Sequence, residues 1–341
     1  MRPRCRGSLT KPSRFFLAAI VPIAAVTLAI TVRLGALPVS SQDYPSRPIK
    51  IIVPVAPGGL VDLLPRIFGQ KITESTSQPV IVENHPGAGG SIAAAEVSKS
   101  PPDGYTLMMG FHAVLAILPH LSSKLPYDAA KGFAPIVHIL SAPNILVVHP
   151  SLPIHSVKEL IAYAKASPSR LTFASSGIGS VSHIAGEQLK ELAGIEIVHV
   201  PYKGPTQAAQ DVVAGHVSMM FDAVPLSLES LRAGKLRALA VTSSQRVDVI
   251  QGVPTMAEAG IIGLEGGIWF GLVAPVRTPL PVIAWLNREA NRVFGTPEVR
   301  LRFLAQGASM PLGTPDAFGG FIAAESRRYG AVIRRSGIRI D

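Results

Sequence analysis

The sequence predicts an α/β fold built on a mainly parallel sheet, and three observations carry the prediction. From Tyr44 onward, short runs rich in Val and Ile alternate with helix-period patterns, as repeated βαβ units require. Glycine-rich turns stand where a strand gives way to a helix, in "APGGLVD", "ENHPGAGGS" and "ASSGIGSVSH", and such turns need residues without a Cβ. With 341 residues, 48% hydrophobic and 16% charged, the chain is long and apolar enough for one large domain or two.

Taken in order, "IKIIVPV" is a buried-type strand, followed by a helix through "DLLPRIFGQKI". "PVIVEN" is a strand, "HPGAGG" a loop and "SIAAAEVSK" a helix; "YTLMMG" and "NILVVHP" are further strands. In "SVKELIAYAKA", Ser156 with Glu159 three residues on carries the signature of a capping box at a helix start. "LTFASS", "IEIVHVP", "VSMMFDAV" and "LRALAVTSS" continue the strands, each leading through a polar or Gly-rich turn into a helix. Trp269 and Phe270 precede "GLVAP", a returning strand, and are expected to pack in a core or hinge. From "TPLPVIAWLNREANRVFG" to the end the pattern is mostly helical.

The net charge of +10 is concentrated near the start. Arg2, Arg4, Arg6, Lys11, Arg14 and Arg33 fall in a stretch with no acidic residue, and without those six the remainder carries +4. A body so mildly basic, with 6% aromatics, offers neither the cationic footprint nor the stacking platforms of nucleic-acid binding. The basic start, the 18-residue apolar run "FFLAAIVPIAAVTLAITV" and the small residues after it read as an export signal over residues 1–41. A retained N-terminal anchor is the alternative, since the run is close to membrane-spanning length. Cys5, the sole cysteine, precedes the apolar run, so the exported chain is expected to have no disulfide, thiolate metal site or cysteine nucleophile.

The stretch "FASSGIGSVSHIAGEQL" poses the question of chemistry. As a nucleotide loop it lacks the third glycine of a dinucleotide fingerprint, and "HVPYKGPT" lacks the Gly-Lys-Ser/Thr order of a phosphate loop. As a hydrolase turn it lacks G-x-S-x-G. Ser176, His183 and Asp222 can be drawn as a triad, but many serines and nine histidines allow such drawings freely. No H-x-H or H-E-x-x-H spacing supports a metal. Anion capture by main-chain amides remains: a strand entering a helix leaves N–H groups unpaired at the positive end of the helix dipole. Gly177 and Gly179 let a ligand approach the backbone, and Ser175, Ser176 and Ser180 add hydroxyls. A well-capped helix start with no ligand is the plain alternative. Gly58 and Gly59 repeat the arrangement, with Asp62 expected to cap its own turn.

At this point the residues match a known pattern. "YPSRPIKIIVPVAPGGLVD", "VENHPGAGGSIAAAEVSKSPPDGYTL", "LPYDAAKGFAPI", "ASSGIGSVSH", "HVPYKGPTQAAQDVVAGHVSMMFD", "GKLRALAVTSSQR" and "VPTMAEAG" follow one another in order. The chain resembles the substrate-binding proteins of the tripartite tricarboxylate transporter family, the Bug-type periplasmic receptors, from Tyr44 to the C-terminus. The resemblance implies a two-lobed periplasmic binding protein of the type II arrangement, each lobe a mainly parallel sheet flanked by helices. The expected lobes are 44–142 plus 269–341, and 143–268. It implies a monomer, not an enzyme, with no cofactor and no metal. Such a receptor holds a small carboxylate in the interlobe cleft and delivers it to a two-subunit integral membrane permease. By motif, the ligand-facing positions are Val55, Ala56, Pro57, Gly58 and Gly59, then Ser175, Ser176, Gly177, Gly179, Ser180 and His183, then Tyr202, Lys203, Gly204 and Asp222. A serine-dependent hydrolase and a receptor signalling to a membrane partner are the alternatives.

Single residues keep two readings. His183 either donates to a ligand or caps structure, Lys203 is a counter-charge or an exposed turn residue, and Asp222 meets a ligand or fixes a neighbouring loop. The chain also departs from the family pattern. Leu60 and Val61 follow the paired glycines where hydroxyls are usual, Pro65 comes early in the next helix, and Gly132 replaces an aspartate before "FAPI". The first change points to a partly aliphatic or aromatic acid rather than citrate.

Overall fold

The computed structural model describes residues 44–340, so the expected export signal lies outside the described residues. Nine strands form one sheet: β1 (Ile49–Val53), β2 (Val80–Asn84), β3 (Thr106–Phe111), β4 (Phe133–Val148), β5 (Thr172–Ser175), β6 (Val198–Pro201), β7 (Met219–Ala223), β8 (Arg237–Val241) and β9 (Gly267–Pro275). Their order is β2-β1-β3-β9-β4-β7-β5-β6, with β8 also paired to β4. The outer pairs β1–β2, β1–β3, β5–β6 and β5–β7 are parallel, as alternation with helices predicts. Strands β4 and β9 add antiparallel pairs in the middle, to β3, β7, β8 and each other, so the sheet is mixed. The β1 and β7 runs are almost wholly buried because helices cover both faces of the sheet.

The helices are α1 (Leu60–Thr76), α2 (Ser91–Lys99), α3 (Leu118–Leu121), α4 (Val157–Ala166), α5 (Val181–Ala193), α6 (Pro205–Val213), α7 (Val224–Arg232), α8 (Leu280–Phe294), α9 (Pro297–Leu304) and α10 (Pro315–Ser336). A π-helical turn, Ala113–Ile117, joins β3 to α3. The predicted cap forms in part: Ser156 Oγ accepts the Glu159 N–H at 3.2 Å, but Glu159 Oε2 accepts the N–H of His155, one residue before the N-cap, at 2.6 Å. Pro65 is not in the first turn of α1 but is its sixth residue. The helix tolerates it by leaving the Val61 carbonyl without its i+4 donor.

Strand β4 runs sixteen residues, far beyond the predicted "NILVVHP". Its first part pairs with β9 and its last five residues pair with β7. Pro135 sits where the register with β9 shifts, so its missing N–H falls at a bulge. The last residues of β4 alternate between two hydrophobic clusters: Leu146 and Val148 pack with Phe173 and Phe221, whereas Ile145 and Val147 pack with Val212 and Met220. A third cluster gathers β1, β3, β9 and the start of β4 around Phe68, Phe294, Phe318 and Tyr329, and also takes in Val181 and Ile184 of α5.

Candidate functional site

The strand registers bring the carboxyl ends of both sets of parallel strands toward one place. Phe111 ends β3 opposite Phe270, and Phe270 lies opposite Leu140 of β4. Ala223 ends β7 opposite Asn144 of β4. Strand β3 runs with β4 and β7 runs against it, so the two carboxyl ends face each other across four residues of β4, about 13 Å of extended chain. The turn after β1, His112 after β3, and the turns after β5, β6 and β7 all open toward this interval.

The turn after β1 is held by Asp62. Its Oδ2 accepts the Gly58 N–H at 3.1 Å and Arg66 Nε at 3.0 Å, and its Oδ1 accepts Arg66 Nη2 at 2.7 Å and Asn84 Nδ2 at 2.9 Å. The Arg66 hydrogen bond, with smaller help from Asn84 and Gly58, holds the carboxyl down to about 2. Asp62 is therefore the structural cap the sequence suggests. Asn84 Nδ2 also donates to the Val55 carbonyl at 3.0 Å. Ala56, Pro57, Gly58 and Gly59 are exposed, and Val55, Leu60 and Val61 are half-buried. Gly58 at φ 98° and Gly59 at φ 77° have no atom within 4 Å of where a Cβ would stand, so the space before the α1 N-terminus is open. No side chain caps that helix, which leaves its first amides facing outward.

The loop after β5 is arranged differently from the expectation that its hydroxyls and amides all face a ligand. Ser175 is fully buried, with its Oγ 2.7 Å from His199 Nε2. That hydroxyl also bonds the Gly177 carbonyl and accepts the Gly177 N–H, each at 3.2 Å. Ser182, absent from the predicted set, accepts the Ser176 N–H at 3.0 Å and lies 3.3 Å from Ser176 Oγ and 3.0 Å from Ser180 Oγ. His183 Nδ1 accepts the Gly179 N–H at 3.0 Å, and Ser180 Oγ accepts the His183 N–H at 3.3 Å. His183 is buried, which pushes its imidazole down to about 4, with His199 and Lys190 adding to the shift. The Gly179 bond gives His183 a structural role. Several loop amides are thus satisfied within the chain, and the hydroxyls of Ser176, Ser180 and Ser182 form the polar rim.

The turn after β6 abuts the same loop, because Tyr202 N–H donates to the Ser175 carbonyl at 3.0 Å. Gly177 adopts φ 127°, and a Cβ there would stand 3.2 Å from the Tyr202 carbonyl oxygen. Tyr202 Oη donates to Asp211 Oδ2 at 2.5 Å; desolvation and this bond push the phenol up to about 12. Lys203 is exposed and Gly204 half-buried ahead of α6. Asp222 is buried, accepts Ser227 Oγ at 2.7 Å and the Ala223 N–H at 2.9 Å, and is pushed up to about 6 by burial. It fixes the entry to α7. Ser176, His183 and Asp222 are each bonded elsewhere, and no hydrogen bond joins them into a triad.

Besides Ser182, two more residues beyond the predicted set belong here. His112 Nδ1 accepts the Trp269 N–H at 3.4 Å, with Trp269 ring-edge on at 6.3 Å. His199 stacks on His183 at 3.9 Å. Neither role is encoded locally, since each depends on which strands become neighbours. Among the described residues, no group of three or more His, Cys, Asp or Glu is placed to hold a metal ion, and no helix is long and apolar enough to cross a membrane.

Comparison with known proteins agrees with this architecture. The model of the tripartite tricarboxylate transporter family receptor matches residues 64–338. Protein BugT of Bordetella pertussis is 38% identical over 325 residues, covering 95% of this chain and 98% of that protein. The solved structure of R. palustris Rpa4515 with adipate is 35% identical with a TM-score of 0.80, over 87% of this chain and 99% of that one. MatC (Rpa3494) from Rhodopseudomonas palustris with bound malate is 32% identical with a TM-score of 0.76, over 85% of this chain and 100% of that one. These relatives are binding proteins, and the mixed sheet with flanking helices is the periplasmic binding protein fold. The chain belongs to the tripartite tricarboxylate transporter receptor family, among its Bug-type members.

Proposed function

We propose that this protein is an exported receptor that captures a small carboxylate between two lobes and hands it to a two-subunit membrane permease, making and breaking no bond. The lobes are 44–142 plus 269–341, and 143–268; the hydrophobic clusters gathered on either side of the β4 crossing, bridged by Val181 and Ile184 of α5, support the division. The observation that carries the reading is the register that ends β3 and β7 four residues apart along β4, with α1 starting behind Gly58 and Gly59 and α5 behind the Ser176, Ser180 and Ser182 hydroxyls. Outward-facing amides at one helix start and a cluster of hydroxyls at the other suit an anion with two polar ends. The adipate and malate held by two relatives have this form. Leu60 and Val61 at one helix start, with Ile178 and Leu226 well exposed on the other side, suit an aliphatic body between those ends.

A thermal-shift screen of the purified protein against mono-, di- and tricarboxylates, amino acids and aromatic acids tests the proposal. A ligand at a hundred times its Kd stabilises by about 2.7 kcal/mol, a rise of several degrees. Aliphatic dicarboxylates are expected to raise the melting temperature more than citrate. No shift with any carboxylate, or turnover of esters or amides that Ser176→Ala removes, would sink the reading.

A further inference from the structure

The ligand loop is gripped from behind at two points. Near its start, Ser175 Oγ lies 2.7 Å from His199 Nε2 and passes the constraint on to Gly177 through bonds to its N–H and carbonyl, both 3.2 Å. Near its end, the Gly179 N–H donates to His183 Nδ1 at 3.0 Å. The two imidazoles come from different elements, α5 and β6, yet stack with centroids 3.9 Å apart and planes 11° from parallel. Phe173 of β5 backs the pair, 4.8 Å from His199. The loop that meets the cleft is therefore seated on a stack of two histidines.

We propose that His183 and His199 are positioning residues for the ligand loop, gripping it at Gly179 and Ser175, and that the grip holds only while His183 is uncharged. An imidazole nitrogen that accepts an N–H carries no proton, so His183 is the neutral Nε2–H tautomer. Adding a proton at Nδ1 removes the acceptor, turns one N–H against another and sets a cation face to face with His199. The surroundings oppose that proton. On α5, Glu187 Oε1 stands 3.9 Å from His183 Nε2, but Lys190 occupies the same carboxylate at 2.9 Å. From β6 the titratable neighbour is His199, and β5 presents Phe173 and the Ser175 hydroxyl. On α10, packed against α5, Arg335 is engaged by Glu191 at 2.9 Å. Burial leads in pushing His183 down to about 4 and in lowering His199 as well. The consequence is capture of ligand at neutral pH and loss of loop geometry in acid. That consequence rests on reading residues 175–180 as ligand-contacting, whereas the grip itself does not.

The test therefore reads the loop directly in the ligand-free protein. The protection factor of the Gly179 amide is measured by NMR hydrogen exchange from pH 7.5 to 4, alongside the imidazole nitrogen shifts of His183. Wild-type protein is expected to show an unprotonated Nδ1 at pH 7 and at least tenfold loss of Gly179 protection as His183 titrates. His183→Gln, whose amide oxygen can accept the same N–H, is expected to retain protection with no pH dependence. His183→Phe keeps a stacking ring without an acceptor and is expected to lose protection at every pH. Gly179 protection that ignores His183 titration in wild type overturns the proposal, and so does a His183→Gln profile matching wild type. Should His183→Phe fail to fold, those two comparisons still decide. A protein that passes this test yet binds no carboxylate would discredit the proposed ligand and leave the positioning role standing.

Discussion

Gly177 concentrates the demands made on a single residue. Its φ of 127° lies where side chains are strained, and a Cβ would press on the Tyr202 carbonyl at 3.2 Å. Gly177→Val is expected to cost about 1–3 kcal/mol of stability and to abolish carboxylate-induced stabilisation, while the circular dichroism spectrum remains native. An unchanged ligand response in a thermal-shift assay would remove the loop from the site. Asp222 and His183 pull stability in opposite directions with pH. Asp222 is raised from 3.8 to about 6, so its folded form holds a proton more readily than the unfolded chain. Its contribution is complete below about 3.8 and is lost as pH rises through 6. His183 is lowered from 6.5 to about 4, so its contribution is complete above 6.5 and is lost as pH falls toward 4. Asp222→Asn, whose one oxygen can still accept the Ala223 N–H while its NH2 donates to the Ser227 hydroxyl, is expected to gain stability over wild type as pH rises from 4 to 6. Urea midpoints at those pH values check the sign, and a constant difference would contradict it. At this scale the sequence suggests that Asp62 holds its own turn, because a carboxylate in the first turn of a helix favours the dipole and can reach back to the amide of Gly58. It conceals that Ser175 and His183 face inward, since side-chain direction follows from the pairing of β5 with β6.

Elements were legible where a short-range rule governs them. Ser156 caps the start of α4 as predicted, with Glu159 holding the residue before it, and Ser156→Ala is expected to cost about 1 kcal/mol by denaturant titration without altering ligand response. A loss below about 0.3 kcal/mol would mean that packing of Val157 and Leu160, both buried, fixes this helix unaided. Where long-range pairing governs, the pattern misled. Pro135 and Pro143 in "FAPIVHILSAPNILVV" read as strand breakers, yet one sits at a register shift and the other pairs with Gly267 at the end of the β9 ladder. Pro65, expected early in the helix, lies buried at the sixth position of α1. The antiparallel middle of the sheet has no local signal, because nothing in β9 announces that it will lie between β3 and β4.

At the scale of the whole molecule, the crossing of β4 and β9 joins everything the proposed function needs. Thr242 Oγ1 accepts the Asn144 N–H at 2.9 Å and donates to Gly266, so β8 fastens the crossing from one side. Helix α10 fastens it from the other: Glu325 Oε2 accepts Trp269 Nε1 at 3.0 Å, and Arg328 Nη1 donates to the Glu265 carbonyl at 2.5 Å. Residues far apart in sequence are thus clamped where the two proposed lobes meet, and under that proposal the strand-end cleft would open or close by their rotation. Under the proposed function, a ligand bridging the α1 and α5 helix starts would bind the closed form better and shift the population toward it. Small-angle scattering of the purified protein, with and without saturating amounts of the most stabilising carboxylate, measures this directly. The account predicts a smaller radius of gyration with ligand than without it; saturable binding with superimposable scattering curves would contradict capture between lobes.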